Sequence, residues 1–212
     1  MTAERPLVSL VSTGILPPSE TQGTMPASQT TAIRERSLAA AALANAAIVL
    51  AFAATIFIAG QVRIPLPFTP VPITLQTFAV YLGAAWLGAG RGVAGPLVFA
   101  VAAASGLPVR SGFQAGLTGA TAGYILGWML AAFLLGRVLG GRPAPAGKIV
   151  AAMAGASVLV YTCGMLHLTL LLDLPLRDAL IMGFLPFIPG DILKIALAAT
   201  IYHRRPNLLS SP

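Results

Sequence analysis

Long apolar segments alternate along this chain with short clusters of glycine, proline and charged residues. An apolar segment of about 20 residues is long enough to cross the hydrocarbon core of a bilayer as a helix. The pattern therefore predicts an all-α membrane protein with about six transmembrane helices. These helices are predicted at residues 38–59, 72–87, 93–104, 121–139, 149–172 and 179–202.

Prolines and glycines interrupt this pattern in three places. Residues 61–72 carry four prolines, which excludes a helix, and their apolar character predicts an ordered cap on the bundle. Residues 88–92 are rich in glycine, but no Lys-Ser/Thr follows them, so they predict a tight turn and not a phosphate-binding loop. The last apolar segment is interrupted by Pro186 and Pro189, and a helix is predicted to start again at about Gly190.

The two ends of the chain differ from its apolar middle. Residues 1–33 begin with a stretch rich in serine, threonine and proline and are predicted to form a disordered cytoplasmic tail. Residues 206–212 are predicted to be a short C-terminal tail. Residues 34–205 then form one six-helix transmembrane domain, which we expect to bind the substrate.

Composition supports the membrane assignment. Apolar residues make up 57% of the chain and charged residues 9%, whereas soluble domains carry about 25% charged residues. The net charge of +7 does not predict a nucleic-acid partner, because the basic residues are spread over the ends of the predicted helices. Cys163 is the single cysteine, which excludes a disulfide and a metal site made of cysteines. No metal and no cofactor is predicted, and His167 is interpreted as a hydrogen-bonded core residue.

The basic residues also predict the orientation of the chain. If both termini are cytoplasmic, eight basic residues flank the predicted helices on that side and three lie on the outer side, as the positive-inside rule requires. The inner set is Arg34, Arg36, Arg91, Arg137, Arg142, Lys148, Arg204 and Arg205, and the outer set is Arg63, Arg110 and Arg177. We therefore expect a multi-pass protein of the cytoplasmic (inner) cell membrane, surrounded by the lipid bilayer.

Asp191 and Lys194 stand in the last apolar segment, where an ionisable side chain costs at least a few kcal/mol. Such residues normally face the interior of a bundle and mark the path of a solute or an ion. Their spacing places both on one face of a helix, about 4.5 Å apart along its axis. We predict a ligand site open to the outside, in which Lys194 meets an anionic group and Asp191 accepts hydrogen bonds from ligand N–H groups. A purely structural ion pair is the alternative.

Three further residues are candidates for this site. Gln76 lies early in the second predicted helix, and a buried amide needs several partners, which a ligand or the carbonyls of the proline-rich segment could supply. Thr121 and Tyr124 belong to a stretch of small residues where a ligand ring could approach the backbone, and Tyr124 could stack or donate. An interfacial tyrosine is the alternative for Tyr124, and Trp86 and Trp128 are predicted to be interfacial or packing residues.

Four motifs resemble those of the BioY family, the biotin-binding substrate-capture (S) subunits of energy-coupling factor (ECF) transporters. The first is Ile-Pro-Leu-Pro-Phe-Thr-Pro-Val-Pro-Ile-Thr-Leu-Gln-Thr at residues 64–77, and the second is Gly-Leu-Pro-Val at residues 106–109. The third, Gly-Ala-Thr-Ala-Gly-Tyr-Ile-Leu-Gly-Trp at residues 119–128, is similar to the family's Gly-Pro-Thr-Gly-Gly-Tyr-Leu-x-Gly-Phe, with Ala120 and Ala122 as departures. The fourth is Pro-Phe-Ile-Pro-Gly-Asp-Ile-Leu-Lys at residues 186–194.

The resemblance covers roughly residues 37–203 and implies six membrane helices, high-affinity binding of biotin from outside and no enzymatic activity. It implies as partners a membrane-embedded coupling (T) subunit and a pair of cytoplasmic ATPases. In the family the Asp and Lys of the last motif belong to the biotin site, which here points to Asp191 and Lys194. The spacing of Ala40 and Ala44 resembles the small-residue motif by which S subunits dock on the T subunit.

Three other functions are alternatives. One is the capture of a different small anionic vitamin on the same scaffold. Another is an intramembrane hydrolase that uses Ser105 or Ser111 with His167, although the rhomboid-type Gly-x-Ser-Gly is absent. The third is a structural membrane subunit in which Asp191 and Lys194 form an interior brace.

Overall fold

A computed structural model describes residues 27–105, 119–206 and 208, which form six α-helices and two short strands. In chain order they are α1 (Ala27–Ala59), β1 (Arg63–Ile64), β2 (Ile73–Thr74), α2 (Gln76–Ala104), α3 (Ala122–Val138), α4 (Ala146–Leu172), α5 (Leu176–Gly183) and α6 (Ile188–Arg204), with a 3-10 turn at Leu185–Phe187. The chain divides into two units, Met1–Ala41 and Ala42–Pro212. The site described below lies within the second unit.

The described helices are those of a multi-pass membrane protein. Counted as continuous stretches, those long and apolar enough to cross a bilayer are Arg34–Ala59, Gln76–Ala104, Ala146–Leu172 and Leu176–Arg204, and Ala122–Val138 is a shorter apolar helix. Gln76–Ala104 is not straight, however, but is bent at Gly88. Large apolar side chains remain exposed on these helices, such as Leu170 at 84% and Leu193 at 70%. Extensive exposed apolar surface is expected of a protein whose surroundings are lipid.

Helix α2 folds back on itself at Gly88, where the predicted tight turn lies. Gly88 has φ 77° and ψ 176°, a left-handed conformation that glycine adopts readily. A Cβ on Gly92 would lie 3.2 Å from Ala84 Cα, although a straight helix would separate two residues this far apart by about 12 Å. The predicted second and third helices are therefore the two arms of α2. The turn is narrower than predicted, because the helix resumes directly after Gly88.

The ring of Phe52, on α1, packs against both arms of α2. A Cβ on Gly83 or on Gly95 would lie 2.1 Å from the Phe52 ring, so only glycine fits at either position. Phe52 is 6% exposed, and Ile56 one turn further along α1 is fully buried. Small residues thus bring this part of α1 close to α2, as in other membrane helix pairs.

The proline-rich segment is ordered and non-helical, as predicted. Its two ends pair as the antiparallel strands β1 and β2, with Arg63 opposite Thr74 and Ile64 opposite Ile73. Between the strands, Thr69 is buried and its hydroxyl accepts a hydrogen bond of 3.2 Å from the Val71 amide. The ladder delivers the chain to the first residue of α2, Gln76.

Helices α3 and α4 agree with the predicted helices to within a few residues, and they pack closely through glycines of α3. A Cβ on Gly127 would lie 2.5 Å from Val160 Cα, and one on Gly123 would lie 2.5 Å from the Cys163 carbonyl oxygen. This close approach of the two backbones places the same turns of α3 and α4 around one cavity.

Two helix starts differ from the predicted ones. Helix α1 begins at Ala27, so residues 27–33 are helical although they were predicted as part of the tail. Helix α6 begins at Ile188, close to the predicted start at about Gly190, and Pro189 lies in its first turn, a position to which proline is well suited. The predicted interruption of the last segment is confirmed, but it lies earlier, at Phe184 (φ −132°, ψ −58°) and the 3-10 turn after it.

Some predictions fall outside the described residues. These are residues 1–26 of the predicted tail, residues 106–118 between the third and fourth predicted helices, with Arg110 and Ser111, and residues 207 and 209–212 of the C-terminal tail.

Candidate ligand-binding site

Asp191 and Lys194 form a buried ion pair within α6. Lys194 Nζ lies 3.0 Å from Asp191 Oδ1, and the two residues are 8% and 5% exposed. Asp191 is in the first turn of the helix, where the positive end of the helix dipole favours a carboxylate. The i, i+3 spacing predicted the common face, and the structure shows that the two side chains bind each other.

Two side chains from other helices complete this polar cluster. The Tyr161 hydroxyl of α4 donates to Asp191 Oδ2 at 2.6 Å, and Lys194 Nζ donates to Thr77 Oγ1 of α2 at 3.1 Å. Both carboxylate oxygens therefore have a donor, and two of the three ammonium protons have an acceptor, which leaves one for a ligand. The cluster, here called the Asp191 cluster, joins α2, α4 and α6 at one point.

A cavity lies against the Asp191 cluster, with an empty volume of about 510 Å³ that includes open solvent at its mouth. Its lining is largely apolar and aromatic, with a few polar groups. The lining residues are Val71, Pro72, Thr74, Gln76, Thr77, Thr121, Tyr124, Ile125, Trp128, Val160, Tyr161, Phe187 and Lys194. Four of the five predicted ligand-binding residues thus face one cavity, while Asp191 lies behind Lys194 and is not part of the wall.

Gln76 is the buried first residue of α2, and only the oxygen of its side-chain amide has a hydrogen-bond partner. The residue is 2% exposed, and its Oε1 accepts a hydrogen bond of 3.2 Å from the Thr74 hydroxyl. Its Nε2 has no hydrogen-bond partner, which is costly for a buried donor. Gly60 makes room for this amide, since a Cβ there would lie 2.7 Å from Gln76 Nε2. The carbonyls of the proline-rich segment therefore do not satisfy this donor, and a ligand in the cavity could.

Tyr124 lines the cavity, whereas its hydroxyl forms a hydrogen bond within the protein. It is 6% exposed, which excludes an interfacial position, and its hydroxyl donates to the Gly183 carbonyl at 2.8 Å. Its ring meets that of Tyr161 edge to face, with centroids 6.2 Å apart. Gly164 gives the ring its space, because a Cβ there would lie 2.3 Å from Tyr124 Cε1. Stacking is consequently the role left to Tyr124.

Sequence reasoning missed three residues of this wall. Tyr161 and Thr77 were not singled out, although both are polar groups in apolar helices and such groups need partners. Trp128 was predicted to pack or to lie at the interface, and it does pack, being 6% exposed with its ring against Phe99. That it also lines the cavity with an unpartnered Nε1 was not predicted. Trp86, by contrast, donates through Nε1 to the Arg205 carbonyl at 2.7 Å.

The arrangement required for a hydrolase is not present in the described part of the chain. The Ser105 hydroxyl donates to the Val101 carbonyl at 2.8 Å, and His167 Nε2 lies 3.0 Å from the Gly119 carbonyl oxygen. Neither side chain is thus bonded to the other as nucleophile and base. Within the described ranges, no group of three or more His, Cys, Asp or Glu residues could hold a metal ion. Ala40 and Ala44, the predicted docking residues, are both exposed.

Comparison with known proteins gives one consistent family. The family model described as the BioY family matches residues 29–211. The chain is 34% identical over 160 residues to the biotin transporter BioY of Thermotoga maritima, covering 74% of this chain and 92% of that protein. It is 37% identical over 184 residues to the biotin transporter BioY of Rhodobacter capsulatus, covering 78% and 96%.

A further relative and one solved structure agree. The biotin transporter BioY of Rhizobium etli is 36% identical over 162 residues, covering 71% of this chain and 86% of that protein. The crystal structure of the S-component for biotin from an ECF-type ABC transporter superposes with a TM-score of 0.68 at 27% identity, covering 80% of this chain and 96% of that one.

Proposed function

This chain belongs to the BioY family, and we propose that it binds biotin in the cavity beside Lys194 as the S component of an ECF-type transporter. It serves the uptake of biotin and is a component of a transporter, not an enzyme. The relatives that support this assignment are biotin transporters, and the similar solved structure is the S-component for biotin of an ECF-type transporter.

The chemical observation that supports this proposal is the buried cation of Lys194. Biotin offers a carboxylate at one end, a ureido ring with one carbonyl oxygen and two N–H groups at the other, and apolar atoms between them. Lys194 supplies a cation for the carboxylate, and a charge-assisted hydrogen bond of this kind is among the stronger ones in proteins. The aromatic and aliphatic wall of the cavity suits the apolar atoms, as in most small-molecule sites.

The remaining predicted residues have distinct proposed roles. Gln76 Nε2 and Thr121 Oγ1, both without partners, bond the polar atoms of biotin, and the Tyr124 ring stacks against its ring system. Asp191 fixes the ammonium group of Lys194. The predicted contact between Asp191 and a ureido N–H is not part of this proposal, because Lys194, which lies 3.0 Å from Asp191, bonds the carboxylate at the opposite end of biotin.

The proposed topology has six crossings of the cytoplasmic membrane. They are α1, the two arms of α2, α3, α4, and α5 with α6 taken together. Because six crossings return the chain to the starting side, both termini lie on one face. The basic residues flanking the helices favour the cytoplasm for that face.

The proposed partners are a T subunit and cytoplasmic ATPases. The sequence contains no Gly-x-x-x-x-Gly-Lys-Ser/Thr motif, so the energy of ATP must reach it through other subunits. Exposed small residues on a membrane helix let a second helix approach closely. Ala40 and Ala44 on α1 are the proposed contact with the T subunit.

Calorimetric titration of the purified protein with biotin tests this function. Lys194→Met should weaken binding by roughly 10- to 100-fold, because a charged hydrogen bond is lost. Lys148→Met, the same change at an exposed lysine, should bind like the wild type. Size-exclusion chromatography and circular dichroism establish that each variant is folded. Absence of biotin binding to the wild type would refute the proposal, and tighter binding of another anionic vitamin would favour the alternative ligand.

A further inference from the structure

Buried donors without partners gather around the proposed biotin cavity. Among the described residues, the buried side-chain polar atoms without a hydrogen bond are Gln76 Nε2, Thr121 Oγ1, Trp128 Nε1 and Thr169 Oγ1. The first three belong to residues that line the cavity. Since nearly all buried polar groups in proteins are hydrogen-bonded, such a concentration indicates where a bound molecule supplies the missing partners.

Trp128 is the unexpected member of this group. Its indole is 6% exposed and its Nε1–H is sealed from solvent. The ring is held by Phe99, with centroids 5.8 Å apart, and the neighbouring Gly127 fixes α3 against Val160. A phenylalanine at this position would pack in a similar way and would carry no donor. Packing alone therefore does not require the indole nitrogen.

The position of Trp128 along α3 separates it from Thr121, which also has an unpartnered side-chain polar atom. Thr121 is the N-cap of α3, and Trp128 lies seven residues further, which is about 10 Å along the axis. Both residues nevertheless line the same cavity. The wall of the cavity thus has residues with unpartnered polar atoms at two well-separated levels, which fits an elongated ligand with oxygen acceptors at both ends.

We infer that Trp128 Nε1 donates a hydrogen bond to an acceptor oxygen of the bound ligand, so that Trp128 is a specificity-determining residue of this chain. The inference rests on the proposed function, because biotin has two such oxygen groups, the carboxylate and the ureido carbonyl. An indole N–H is a donor only. The bond therefore selects for an acceptor at that point of the ligand and against a donor or an apolar group.

The matched substitutions Trp128→Phe and Trp86→Phe test the inference by calorimetry. Trp128→Phe keeps an aromatic ring and removes the N–H, so biotin should bind about 10-fold more weakly. Trp86→Phe removes an indole whose N–H already bonds the Arg205 carbonyl, and it should leave biotin affinity unchanged. If Trp128→Phe binds biotin as tightly as the wild type does, the inference is wrong while the proposed function stands. If the wild type does not bind biotin, the proposed function itself fails.

Two biotin analogues separate a hydrogen bond from altered packing. One analogue has a methyl group in place of the carboxylate, and the other is iminobiotin in its protonated form, whose guanidinium group has only donors in place of the ureido oxygen. The 10-fold difference between the wild type and Trp128→Phe should disappear with the analogue that lacks the acceptor of Trp128 and persist with the other. A difference of equal size with biotin and both analogues would show that only packing was changed, and would overturn the inference.

Nuclear magnetic resonance of the unmutated protein gives an independent readout. The chain has two tryptophans, so protein labelled with ¹⁵N-tryptophan shows two indole N–H signals, and Trp86→Phe assigns them. Addition of biotin should move the Trp128 signal downfield, as formation of a hydrogen bond does, and leave the Trp86 signal in place. A Trp128 signal that does not move on saturation with biotin would contradict the inference.

Discussion

Replacement of Lys194 by methionine would leave the Asp191 carboxylate buried without its cation. Asp191 is 5% exposed, and its remaining partner would be the Tyr161 hydroxyl at 2.6 Å. Removing one member of a buried ion pair typically costs about 3–5 kcal/mol, because the other charge stays desolvated. At about 2–4 °C per kcal/mol for a chain of this size, Lys194→Met should lower the Tm of the ligand-free protein by roughly 6–20 °C.

The double variant Asp191→Asn/Lys194→Met removes both charges and should recover most of this loss. Tyr161 can donate to the amide oxygen of the asparagine, and no unpaired charge remains. Replacing a buried pair by neutral groups of similar size is often close to neutral. The double variant should therefore unfold within about 1 kcal/mol of the wild type, although neither variant should bind biotin with wild-type affinity.

Thermal unfolding in detergent micelles without biotin measures these differences, with Lys148→Met as the control for loss of an exposed lysine. The decisive quantity is the gap in Tm between the single and the double variant. If Lys194→Met is as stable as the wild type, or if the double variant is as unstable as the single one, the buried Asp191 carboxylate does not depend on the charge of Lys194 for its stability in the folded protein. The argument from burial would then be refuted.

Two further substitutions test the wall of the cavity by biotin titration. Tyr161→Phe keeps the ring and removes the donor to Asp191 Oδ2, so affinity should fall by roughly 5- to 30-fold; unchanged affinity would mean that the carboxylate needs no second donor. Gly164→Ala puts a Cβ 2.3 Å from the Tyr124 ring and should displace it and weaken binding, whereas Gly147→Ala, whose Cβ meets nothing within 4 Å, should have no effect. Equal affinities for the two alanine variants would contradict the proposed stacking role of Tyr124.

The helices could be predicted where the sequence has clear boundaries. Helices α3 and α4 lie between clusters of glycine, proline and charge, and their observed bounds, Ala122–Val138 and Ala146–Leu172, are close to the predicted ones. The start of α6 was predicted slightly late, at about Gly190 instead of Ile188, because the role of Pro189 is ambiguous in the sequence. A proline in the interior of a helix interrupts that helix, whereas a proline in the first turn favours it. The sequence alone does not show which of these two positions Pro189 occupies.

The site could be predicted in part because a charge in an apolar helix is visible from sequence alone. Asp191 and Lys194 were identified in this way, and their mutual bond follows from local spacing. The bond from Tyr161 could not be predicted, since Tyr161 lies 30 residues from Asp191 in the chain and only the fold brings the two side chains together. Trp128 shows the same limit, because the sequence does not reveal whether an indole nitrogen has a partner in the folded protein.

Asp191 and Lys194 belong to a single helix, and this affects how the protein enters the membrane during synthesis. A charged residue at the centre of an inserting helix costs about 2.5–3.5 kcal/mol. Because the two side chains bond each other within one turn, their charges cancel as soon as that turn has formed, before any other helix is in place. Partners on two different helices would each have to enter the lipid as an isolated charge. The last helix can therefore be inserted with its two central charges already paired, and it already carries the cation of the binding site.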